Sequence, residues 1–132
     1  MSFIKMNLND VREPVCAPEG EYELVVENVK EYEHEQNKNT IIRLGLTIMG
    51  VDGEFQPVYH YLSMPGPNDD DDKVKNKMRM LKRFLVAAGI SFEDDGFNSE
   101  DLYGARITCK LTIEHNEETN MDNNRLVLPR FE

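Results

Sequence analysis

The sequence predicts a mainly β domain in which five antiparallel strands are interrupted by one helix between the third and the fourth. Three observations predict it. Five segments alternate apolar and polar residues with the period of two that a half-buried strand requires. The segment from residue 69 to 89 instead repeats its apolar residues every three or four positions, the period of a helix. An Asp52-Gly53 pair stands between the second and third alternating segments, where a tight hairpin turn needs it.

The first strand opens after Gly20, where Tyr22, Leu24 and Val26 alternate with Glu21 and Glu23 before Val29 breaks the phase. An extra residue near Glu27 and Asn28, a β-bulge, accounts for the break. Glu33 to Asn39 is a polar turn. From Thr40 to Met49 the alternation is cleanest, with Ile42, Leu44, Leu46 and Ile48 on one face and Arg43, Gly45 and Thr47 on the other. Phe55 to Met64 returns as the third strand after the turn Val51-Asp52-Gly53-Glu54, and Pro57 marks an edge or bulge because it cannot donate to the ladder.

Pro65-Gly66-Pro67 ends that strand. The run Asp69 to Asp72 then supplies carboxylates for the start of a helix, where free backbone amides and the positive end of the dipole favour them. Val74, Met78, Leu81, Leu85 and Ala88 form its apolar stripe, and Gly89 ends it. A short helical turn follows over Ser99 to Tyr103. Ala105, Ile107, Cys109, Leu111 and Ile113 mark the fourth strand, Asn116 to Asn124 a polar loop, and Arg125 to Phe131 the fifth strand.

Three strands, a helix and two strands is the order of the OB fold, a partly open five-stranded antiparallel barrel. The expected organisation is an irregular arm over residues 1–18 and an OB-like domain over residues 19–132. At 132 residues, 39% of them hydrophobic and 30% charged, the chain suits one globular domain. No stretch approaches the about 18 apolar residues of a membrane span. Met1 to Asp10 lacks the basic-then-apolar pattern of a signal peptide, so the expected location is the cytoplasm.

Cys16 and Cys109 have no Cys-x-x-Cys partner and read as free thiols, Cys109 as part of the core. His34, His60 and His115 lack metal-ligand spacing, and the four aspartates lack the spacing of a calcium loop, so no metal and no cofactor are expected. No nucleophile elbow, phosphate loop or dinucleotide glycine pattern occurs, so the chain is not read as an enzyme. His60, between Tyr59 and Tyr61, is either a hydrogen-bonded wall residue or part of a stacking surface.

A net charge of -10 opposes phosphate binding by the chain as a whole, but a groove can be cationic on an acidic protein. Lys73, Lys75, Lys77, Arg79, Lys82 and Arg83 read either as a cationic strip for phosphate or as a solvated helix face, around which they spread. Arg43 on the second strand and Phe55, Tyr59 and Tyr61 on the third are a more specific set, with Lys38 on the approach loop. Rings interleaved with cations hold single strands by stacking bases and pairing phosphates. Lys110 and Arg125 on the last two strands complete the candidate nucleic-acid-binding residues. Alternation alone leaves two orientations open: either the tyrosines or Val58, His60 and Leu62 point outward.

Four segments carry a family resemblance: Pro18-Glu19-Gly20-Glu21-Tyr22, Pro57-Val58-Tyr59-His60-Tyr61-Leu62, Leu85-Val86-Ala87-Ala88-Gly89-Ile90 and Leu102-Tyr103-Gly104. Over about Pro18 to Phe131 the chain resembles the OB-fold single-stranded DNA-binding proteins encoded by bacteriophages. The resemblance implies a sequence-independent coat for single-stranded DNA in phage replication or recombination, working in the host cytoplasm. It implies single-stranded DNA as partner, leaves room for replication or recombination proteins and a second copy of the chain, and gives no role to a membrane. The chain departs from many such proteins in ending Pro129-Arg130-Phe131-Glu132 rather than in an acidic tail. Two other readings stand beside it: a module that joins a protein through an exposed sheet edge, and an acidic mimic of DNA.

Overall fold

The computed structural model describes residues 2–9, 11, 13–36, 38–50, 55–93 and 96–131. The long strands are β1 (Gly20–Glu33), β2 (Thr40–Ile48) and β3 (Val58–Ser63), followed by helix α1 (Asp71–Ala87). After them come a ribbon of two short strands, β4 (Phe92–Glu93) and β5 (Gly96–Phe97), and a 3-10 turn over Ser99–Leu102. The last two strands are β6 (Arg106–Asn116) and β7 (Met121–Val127).

One five-stranded sheet has the order β3-β2-β1-β6-β7, and every pairing in it is antiparallel. The sheet curls until its edges β3 and β7 lie beside each other, yet no ladder joins them. The chain is therefore a mainly β fold with an unclosed sheet, where the sequence alone suggests a barrel. Because each pairing reverses direction, β3 and β7 run in the same sense.

The alternation in β2 translates directly into packing: Ile42, Leu44, Leu46 and Ile48 are all buried. In β1 the register shifts between Val26 and Asn28, the bulge that the broken phase predicts. The concave face is filled by Leu24, Val26, Val58, Leu62, Ile107, Cys109 and Leu111, with Phe84 and Leu85 from α1 and Leu102 from the 3-10 turn. Burial, and then the charge of Glu21, push the Cys109 thiol up to about 11, as befits a core cysteine.

The helix starts where the aspartates predict. Asp70 is its N-cap and accepts from the Lys73 amide at 2.8 Å. Asp69 accepts from the Gly66 amide at 2.8 Å and from Lys77 Nζ at 2.7 Å. The hydrogen bond from Lys77 leads in holding the Asp69 carboxyl below its usual range.

Several expectations are corrected. The third strand is shorter than Phe55 to Met64: Phe55 sits outside it, in a single parallel bridge with Val15. The Val51 to Glu54 turn lies outside the described residues. The polar segment after Asn116 is no long loop, because β6 and β7 pair up to Asn116 and Met121 as a projecting ribbon. Ile113 falls on that ribbon, beyond the core, and is 42% exposed. On the helix Met78 is 53% exposed while Phe84 is fully buried, so the stripe that meets the sheet is set by the helix's far end. The ribbon of β4 and β5, two residues to a strand, is too short to leave a periodic signal.

The arm is anchored at its second half. Asn124 clasps the Ala17 backbone, accepting from its amide at 2.8 Å and donating to its carbonyl at 2.9 Å. The Gln56 amide donates to the Val15 carbonyl at 2.9 Å. Upstream, Phe3, Ile4, Met6 and Leu8 are exposed.

Candidate nucleic-acid interface

The orientation of the tyrosines is decided from inside the sheet. Val58 and Leu62 are buried, and His60 between them stacks on the buried Phe84 ring with centroids 5.4 Å apart. Since neighbouring residues of a strand face opposite ways, Tyr59 and Tyr61 must point outward. They are 51% and 53% exposed.

Register then assembles the surface around them. Tyr61 pairs with Arg43, and Arg43 with Lys30, which puts an aromatic and two cations in one row across β3, β2 and β1. The next row is Tyr59, Gly45 and Asn28. Arg43 Cζ lies 5.4 Å from the Tyr59 ring centroid, within cation–π reach. Gly45 allows the close approach of Asn28, whose Cβ a Cβ there would meet at 3.1 Å, while Tyr59 Cε1 would lie at an ordinary contact distance of 3.6 Å.

The cations of the outer face differ in whether a carboxylate pairs with them. Toward β6 and β7 the cations have carboxylates beside them, with Arg106 3.7 Å from Glu23 and Arg125 3.9 Å from Glu114. Among the described residues neither Arg43 nor Lys30 makes an ion pair. Arg43 and Lys30 can therefore meet a negative ligand on the β1–β3 side, where Glu27 accepts from Thr47 Oγ1 at 2.9 Å, although the protein as a whole is acidic.

Of the residues singled out from sequence, Arg43, Tyr59 and Tyr61 come together. Lys38 is exposed in the turn between β1 and β2, with a left-handed φ of 60°. Arg125 lies on β7, across the open seam from β3, close enough for its charge to act on His60. Lys110 does not join the group. It pairs with Glu21, nine residues along β1 from Lys30, a separation of roughly 30 Å at strand geometry. Phe55 does not join it either, because its half-buried ring packs edge-on against Tyr22 at 6.5 Å. Sequence reasoning missed Lys30: the bulge shifts the phase of β1, and only the paired register shows that it stands next to Arg43.

A model of one family, described as proteins of unknown function (DUF669), matches residues 4–125. The chain belongs to the DUF669 family. The match takes in most of the arm as well as the sheet up to Arg125. No curated protein matches the chain. No helix among the described residues is long and apolar enough to cross a membrane.

His60 gives this region of the DUF669 chain a pH dependence. Burial first, and the Arg125 charge second, push its imidazole down to about 4 from an ordinary 6.5. Between those values the unfolded chain binds a proton that the folded one does not, so stability rises with pH through the window. Acidification across it is expected to remove about 3 kcal/mol of stability through this group. His60→Phe, which keeps a ring against Phe84, should flatten that part of the profile. Thermal unfolding of both proteins across the window checks this, and equal losses in the two would contradict it.

Proposed function

We propose that this protein binds single-stranded DNA, without regard to base sequence, on the outer face of β2 and β3. The observation that carries the reading is the pair of half-exposed tyrosines beside Arg43 and Lys30, rings and unpaired cations on one face. Bases stack on the rings while the cations follow the phosphates.

The fold supports the same reading. We read the curled sheet, with its long shared first strand, its helix after β3 and its facing edges, as an open OB-like barrel. On such barrels the face of the second and third strands, with the adjoining loops, is where oligonucleotides lie. Lys38 stands on one of those loops. The resemblance to phage single-strand binders extends the proposal to a role in phage-type replication or recombination in a host cytoplasm. The protein then acts by coating and presenting the strand, with no reaction of its own.

The exposed Phe3, Ile4, Met6 and Leu8 favour a second reading, a module whose partner is another protein. Fluorescence anisotropy with a labelled oligonucleotide separates the two. Single strands should bind at low salt, lose affinity as salt rises, and be displaced poorly by duplex. No binding at low salt would overturn the first reading.

A further inference from the structure

The cations of α1 do not form only a solvated face. β3 and β7 finish at the same end of the sheet, α1 follows the first and residues 128–131 follow the second. There Arg79 and Arg83, one helical turn apart, and Arg130 from the terminal segment line a single cavity of about 390 Å³ with Phe131. Like charges at this spacing repel, so the arrangement is unfavourable with nothing between them.

The local partners do not relieve it. Arg79 Nη1 donates to Asn76 Oδ1 at 2.7 Å, and Arg83 Nη1 reaches only the Met80 sulfur at 3.5 Å. Arg83 Nε is buried and finds no acceptor. Among the described residues no carboxylate pairs with any of the three arginines, in a chain with 25 acidic and 15 basic residues. Phe131 forms the remaining wall, with Lys82 Nζ 4.4 Å from its ring centroid.

We propose that this cavity is an anion site, which takes a phosphate group between the guanidinium groups of Arg79, Arg83 and Arg130. Guanidinium groups suit the task because their planar donors match two phosphate oxygens at once. The phosphate belongs either to a nucleic-acid backbone or to a free phosphate compound. The inference does not rest on the tyrosine face.

Side-chain Nε–Hε signals of arginine in ¹H–¹⁵N spectra report on the guanidinium groups that line the cavity. The Arg83 signal should move and saturate on titration with pyrophosphate. If an oligothymidylate moves it too, the phosphate is that of a strand, and if only pyrophosphate does, it is a free compound. No movement with either probe at low salt overturns the site. Arg83→Lys keeps the charge but loses the planar guanidinium donors, and Arg130→Ala alters only the terminal segment. Each should weaken pyrophosphate binding about tenfold, the loss of one charge-assisted contact. Unchanged affinity in both, with circular dichroism showing them folded, would also overturn it. The double variant Tyr59→Ala, Tyr61→Ala should keep the pyrophosphate response, so a failure of the tyrosine reading and a failure of this one remain distinct.

Discussion

Tyr59→Ala and Tyr61→Ala are each expected to weaken binding of a single-stranded oligonucleotide by about 1–3 kcal/mol, the value of one stacked base. The loss should be similar for all base sequences, because every base has a face to stack. Both rings are half exposed on the outer face, so the variants should stay folded, with a smaller loss of stability than a core substitution brings. Arg43→Ala should act through charge, lowering affinity for all sequences and flattening the salt slope by about 0.7, the single-strand value per phosphate contact. Lys30→Ala should do the same, since it stands beside Arg43 in register. Lys110→Ala, far along β1 and opposite Glu21, should change little. Anisotropy over a salt series measures all of these, and folded tyrosine variants that bind as well as the parent would move the site off this face.

Phe84→Ala is expected to cost about 3–5 kcal/mol of folding stability, the range for removing a large buried ring. Phe84 is fully buried, carries the stacked His60 and joins the helix to the concave face of the sheet. A loss of this size is a large part of the about 5–15 kcal/mol that holds a typical domain. Leu81 belongs to the same helical stripe but is only partly buried and lines an open apolar groove with Met64, Met78 and Phe97. Leu81→Ala should therefore cost less. Urea unfolding of the two variants tests the order, and a larger loss at Leu81 would contradict the placement of Phe84 as the keystone of the helix.

Much of the fold is legible in single segments. Alternation in β2 is enough to name its four buried apolar side chains, the broken phase of β1 locates its bulge, and the aspartate run marks the start of α1. Each of these depends on neighbours a few residues away, so local chemistry suffices. Met78 and Phe84 show where that sufficiency ends. Both have apolar side chains on one helix, and which of them is buried depends on where the sheet contacts the helix, a property of two elements together.

The candidate site divides in the same way. Residue type alone picks out Arg43, Tyr59 and Tyr61, because aromatic rings and cations on alternating strands are visible in one dimension. Their common face was decided by packing, since His60 can stack on Phe84 only if the tyrosines turn outward. Register brought Lys30 in and set Lys110 apart, and it depends on hydrogen bonds between strands distant in sequence. The arginine cavity belongs wholly to the tertiary structure: Arg79, Arg83 and Arg130 meet because β3 and β7 end together, and no segment of the sequence holds all three. The sequence by itself thus determined the long elements and the kinds of side chain they carry, through local periodicity. Curling of the sheet decided which side chains face solvent together, because pairing and packing act between residues that the chain keeps far apart.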